Sequence, residues 1–129
     1  MAEKPVERDK VPRVQLPEFE GTNRFVQLRI GGEPYLVCGG RFHKIILADT
    51  LEKMGINFDH SREDSTLPKR RGDDYEVMGM GMVVKNSERV AFFGSSIDYG
   101  LEPNAEEIGL LKPYFPKEIE KIECGGRVI

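Results

Sequence analysis

Gly39-Gly40-Arg41-Phe42-His43-Lys44-Ile45-Ile46 is where the chain changes period. Upstream, Arg24-Phe25-Val26-Gln27-Leu28-Arg29-Ile30 alternates, so that Val26, Leu28 and Ile30 share one face and Arg24 heads it. Gly31-Gly32-Glu33-Pro34 is a turn signal, and Tyr35-Leu36-Val37-Cys38 reads as the returning strand of a hairpin. Downstream of the double glycine the spacing becomes helical. Ile46, Leu47, Thr50, Leu51 and Met54 fall on one face, Lys44, Asp49, Glu52 and Lys53 on the other, and Gly55 is a stop signal. A helix from His43 to about Met54 is therefore expected.

The pattern continues with a polar stretch over 57–74, which contains His60 and Lys69-Arg70-Arg71. Tyr75 to Val84 reads as a strand, and its interior Gly79 and Gly81 signal a bulge or a close backbone approach. Lys85-Asn86-Ser87-Glu88 is a turn, and Arg89 to Phe93 is the returning strand. Asn104, with Glu107 three residues on, is a variant of the capping box. It opens a short helix with Ile108 and Leu111 facing inward and Pro113 at its end. Lys117 to Cys124 reads as a last strand. The order predicts one α+β domain with a mixed sheet and two helices over 23–124, between an extended or mobile tail at 1–22 and a short tail at 125–129. In the first tail, Val11, Val14, Leu16 and Phe19 are candidates to strap onto the domain.

Bulk properties narrow the function. The 129 residues suit one core, and 39% hydrophobic with 32% charged residues is too apolar for a disordered chain. A net charge of -3 argues against gripping nucleic acid by bulk charge. No apolar run approaches a membrane span, and Met1-Ala2-Glu3-Lys4-Pro5 lacks the apolar core of a signal peptide. Cys38 and Cys124 are too few for a disulfide framework or a structural zinc site. A cytoplasmic monomer that avoids membranes and nucleic acid is expected.

Two places could carry chemistry. His43 stands at an expected helix start, where unpaired backbone N–H groups suit an anion and disfavour imidazolium. A neutral imidazole there can attack phosphorus or activate water. Gly94-Ser95-Ser96-Ile97-Asp98-Tyr99-Gly100 is the second: glycines beside hydroxyls can turn backbone N–H groups toward one anion, with Ser96 adding a donor. It lacks the lysine of a P-loop. There is no His-x-x-x-His, the acids of 59–74 do not fit a calcium loop, and no Gly-x-Ser-x-Gly elbow is present. A blander use of the chain is an interaction domain whose Lys69-Arg70-Arg71 docks an acidic partner.

Several of these segments, in this order, resemble the Janus/Ocnus family of small phosphohistidine phosphatases over roughly residues 23–123. Arg24-Phe25-Val26 to Ile30 is similar to the family's opening strand, Phe42-His43 with Ile46 to its histidine segment, and Glu76-Val77-Met78-Gly79-Met80-Gly81 to a glycine-rich strand. Gly94 to Gly100 is the most specific match. The resemblance implies a mixed sheet flanked by two helices and a hydrolase that removes phosphate from phosphohistidine in proteins, without metal or cofactor. His43 would be general base or nucleophile, and Arg24 would take the place of a phosphate-site lysine. Ser96 and the backbone of Ile97 and Asp98 would hold phosphate oxygens. The chain departs from the family where Met82 replaces an arginine after the glycine run and Cys38 stands in a Val-Arg-Gly segment. Arg41 is a candidate to replace lost charge, and Asp98 adds a carboxylate beside the expected phosphate.

Overall fold

Residues 11–18, 20–60 and 67–129 are described by the computed structural model. The alternating segment becomes strand β2 (Gly21–Ile30), paired antiparallel with β3 (Glu33–Gly39) on one side and β4 (Tyr75–Lys85) on the other. Central placement buries it on both faces: Phe25, Val26, Gln27 and Leu28 are all buried. β5 (Arg89–Phe93) returns antiparallel to β4, and β6 (Lys121–Cys124) lies parallel to β5. With the short edge strands β1 (Val14–Gln15) and β7 (Arg127–Val128), the order is β1-β3-β2-β4-β5-β6-β7. The chain is an α+β domain in which the described residues form this mixed seven-stranded sheet with two α-helices.

Helix α1 (His43–Lys53) lies over one face. Ile46, Leu47, Leu51 and Met54 join Val26, Leu28, Val37, Val77 and Met80 in one cluster. It ends as its sequence requires. Gly55 sits at φ 69°, its N–H donates to Glu52 O at 3.0 Å, and Ile56 N–H donates to Leu51 O at 2.9 Å, the paired bonds of a Schellman cap. Helix α2 (Ala105–Leu111) lies on the other face, where Ile108 and Leu111 pack with Phe25, Leu36, Cys38, Val83 and Phe92. Asn104 caps it by accepting from Glu107 N–H at 3.2 Å. The Glu107 carboxylate does not reach back to complete a capping box. It takes both Arg29 Nε and Nη2 at 2.7 Å, and Gln27 serves the cap instead. Buried Gln27 accepts from Asn104 N–H at 2.8 Å and donates to Asn104 O at 2.9 Å.

That clasp explains the glycine expected to bulge. The β2–β4 register shifts between Gln27 and Leu28, leaving Met78 as the extra residue beside Gly79. A Cβ on Gly79 would collide with Gln27 Oε1 and approach Glu102 O at 2.9 Å and Asn104 N at 3.0 Å.

Three boundary expectations are corrected. Part of the expected N-terminal tail is sheet: Val14–Gln15 pairs with Leu36–Val37, Leu36 N–H donates to Arg13 O at 2.9 Å, and β2 already begins at Gly21. Arg13 fixes this strap by stacking on Tyr35 and Tyr114 at 5.0 and 4.7 Å. Val11 is buried as expected and Val14 and Leu16 pack against the core, while Phe19 and residues 1–10 lie outside the described residues. The last strand starts at Lys121, not Lys117, because Ile119 N–H closes a turn onto Pro116 O at 3.1 Å. The expected C-terminal tail contributes β7. No helix among the described residues is long and apolar enough to cross a membrane.

Gly79→Ala is expected to lower stability by about 1–3 kcal/mol through overpacking against backbone that cannot retreat. Urea unfolding measures it, and an unchanged midpoint would show the Gln27–Asn104 clasp to be slack.

Candidate functional site

One row of paired residues crosses four strands. Gly39 of β3 faces Arg24 of β2, Arg24 faces Met82 of β4, and Met82 faces Phe93 of β5. Paired residues share a face, here the α1 face. The two candidate segments leave the sheet from opposite ends of this row. Gly40 leads into α1 and His43, and Phe93 leads into Gly94 to Gly100. Gly94 (φ 72°) lies against the Met82 side chain, 3.1 Å from its Cγ to an ideal Cβ position.

His43 is half-buried at the first turn of α1, and its Nε2 lies 2.8 Å from Gly81 O. A carbonyl can only accept, so Nε2 carries the proton and, in the neutral ring, the lone pair is on Nδ1. Nδ1 has no hydrogen-bond partner among the described residues. The imidazole is held below its ordinary pKa, chiefly by burial and further by the Arg24 charge, while the Gly81 bond and the Asp98 carboxylate pull the other way. The neutral histidine expected from the helix field thus owes its state mainly to desolvation.

Arg24 lies with its guanidinium 4.9 Å from the Phe42 ring centroid and Nη1 3.5 Å from Gly40 O. Phe42 itself is 62% exposed, and stacking on Arg24 accounts for a large ring at a helix entry whose cap makes no side-chain bond. The loop closes on itself: Ser96 N–H donates to Leu101 O and Gly100 N–H to Ser96 O, both at 2.8 Å. Ser96 is buried and Ile97 is 96% exposed. Asp98 is also exposed. Among the described residues, neither the Ile97 nor the Asp98 N–H is donated to a protein acceptor.

Arg24 therefore lies at the entry to α1, against Phe42 and Gly40, and the charges of Arg24 and Asp98 act on the His43 imidazole in opposite directions. Ser96 serves the loop's own closure, with little surface for a ligand to touch. Arg41 does not join: its Nη1 pairs with Asp49 at 3.5 Å on an exposed surface. Cys38 lies on the α2 face, buried against Phe25 and Leu36, so cysteine there takes nothing from the site. His60 is exposed beside Phe58, with ring centroids 5.6 Å apart. Of the basic run, Arg71 pairs with Glu76. Hollows of about 540 Å³ against Phe58 and Arg71 and about 290 Å³ against Phe115 and Ile119 are lined by other residues. Among the described residues, no three His, Cys, Asp or Glu side chains converge as metal ligands would. The sequence reading missed the Gly81 carbonyl as the anchor of His43; the only signal was the strand-interior glycine. No protein-family model and no curated protein matches this chain.

Nitrogen-15 NMR of the whole chain is expected to show His43 as the Nε2–H tautomer, titrating below 6.5. Between the folded and unfolded pKa values the unfolded chain binds more protons. His43 therefore contributes stability that falls as pH drops from 6.5 through the folded pKa and then levels off. A midpoint above 6.5 would contradict the burial argument.

Proposed function

We propose that this chain is a metal-independent phosphatase acting on phosphohistidine in proteins, with His43 as general base or nucleophile. What carries the reading is a half-buried imidazole tied through Nε2 to Gly81 O, with no partner for the Nδ1 lone pair among the described residues and Arg24 beside it. As general base, Nδ1 takes a proton from water, and the hydroxide oxygen bonds to phosphorus. The P–N bond breaks with its electron pair on the substrate nitrogen, which receives a proton. As nucleophile, Nδ1 itself bonds to phosphorus as the substrate P–N bond breaks and its nitrogen takes a proton, and water then cleaves the Nδ1–P bond to give phosphate and the free imidazole. Arg24 neutralises charge on the phosphoryl oxygens, with the Ile97 and Asp98 N–H groups as further donors. Both cysteines are unpaired, which fits the reducing cytoplasm, where we place the protein as a monomer.

A second reading is a non-catalytic phosphate- or phosphoprotein-binding module. It is favoured by Met82, which faces Arg24 across β2 and β4 and supplies no charge.

Phosphate release from a histidine-phosphorylated protein, with chelator present, separates the two. Turnover lost in His43→Ala supports the phosphatase; phosphate binding without turnover in the wild type supports the module. Met82→Arg should raise kcat/KM by about tenfold or more, since one positioned donor is typically worth about 10²–10³ and some is lost to repulsion from Arg24. A Met82→Arg enzyme no faster than wild type would place the phosphoryl group away from this row.

A further inference from the structure

The charges around His43 do not make a trap for a dianion. Arg24 supplies one positive charge and Asp98 one negative, His43 is held neutral, Met82 is uncharged, Arg41 is engaged with Asp49, and Lys44, next along α1, has an interaction of its own. A phosphoryl group brings about two negative charges. Asp98 makes no ion pair among the described residues and is exposed. Nor does it sit on a loose tip. Ser96 and Tyr99 on either side of it are buried, Gly100 N–H and Ser96 O close the turn at 2.8 Å, and Tyr99 OH donates to Pro68 O at 2.8 Å. An exposed carboxylate on an anchored turn beside the proposed phosphate site raises the cost of phosphate unless something positive arrives with it.

We propose that Asp98 is a specificity-determining residue that receives a cationic side chain, so that the substrate class is a histidine-phosphorylated polypeptide with lysine or arginine next to the phosphorylated residue. This rests on the phosphate reading of the site and sharpens it. Arg24 takes the phosphoryl end, Asp98 takes the neighbouring cation, and the substrate supplies the positive charge that the enzyme lacks. A rim ion pair of this kind is worth up to about 1 kcal/mol, which converts to about a three- to fivefold preference, and it weakens with salt.

The test uses the whole chain and N-acetylated, C-amidated peptides carrying phosphoryl-triazolylalanine, a stable stand-in for phosphohistidine, flanked by Lys, Ala or Glu. Wild type should bind the Lys peptide about three- to fivefold tighter than the Ala peptide and the Glu peptide weakest. The spread should shrink at high salt and vanish in Asp98→Asn. The kcat/KM values of the matching phosphohistidine peptides should follow the same order. A Lys preference that survives Asp98→Asn, or no preference in a wild type whose binding still depends on Arg24, overturns the role given to Asp98. So does Asp98→Asn slowing all three phosphohistidine peptides equally, which is what a carboxylate that only steadies the His43 imidazolium would do. If no peptide binds whatever its flank, the phosphate reading itself falls, and this inference with it.

Discussion

Gly81 joins the core to the candidate site. A Cβ there would stand 2.5 Å from Phe93 O, 3.1 Å from the Phe25 ring and 3.2 Å from Pro103. The bare Cα lets β4, the exit of β5 and the approach to α2 close together on one face. On the other side of the same residue, the carbonyl accepts His43 Nε2. The tautomer of a half-buried histidine is thus set by a backbone atom whose position is fixed by packing. A carboxylate in that place would raise the imidazole pKa further than the neutral carbonyl does.

The second constraint is polar and buried. Gln27 lies in the central strand with no exposed surface, yet both ends of its amide are satisfied by the backbone of Asn104. Asn104 Nδ2 reaches Met78 O at 3.3 Å, so the extra residue of the bulge is also engaged. Arg29 adds its two bonds to buried Glu107. The helix start, the bulge and the central strand therefore lock as one unit. An amide buried without these partners would cost about 1–3 kcal/mol, which ties α2 to a single seat rather than to a general apolar surface. The loop that carries Asp98 runs between this clasp and β5, and inherits its placement from both.

These two constraints mark how far the sequence could be read. Periodicity located β2, α1, β4 and β5, because each has a strong apolar repeat and a glycine or turn signal at its end. It also placed Arg24 on the face of Val26, Leu28 and Ile30, since alternation alone decides that, while only the fold shows that α1 covers this face. It could not extract Val14–Gln15 or Arg127–Val128, which are two-residue edge strands held by neighbours rather than by their own pattern. It read Asn104 and Glu107 as a self-contained cap, whereas residues nearly eighty positions upstream complete it, and no local pattern reports a contact of that span. Arg41 was attractive for its nearness to His43 in sequence, but the extended turn at Phe42 sends it to Asp49. Gly81 was legible as a close approach, and only the three-dimensional arrangement shows what approaches.

The sparse charge at the site bears on which phosphoryl bond it could break. In a phosphate ester the leaving oxygen develops nearly a full negative charge, and an enzyme must meet it with strong donors or a metal ion. In phosphohistidine the leaving group is an imidazole, whose nitrogen takes a proton near neutrality and departs uncharged. The demand for positive charge on the protein is correspondingly lower. A site with the Arg24 guanidinium, a neutral imidazole and an adjacent carboxylate is poorly equipped for an ester, while the N–P bond asks of it mainly orientation and a proton moved at Nδ1. The same features that look like losses against a more cationic pocket are therefore compatible with the chemistry proposed, and they shift the burden of charge balance onto the substrate.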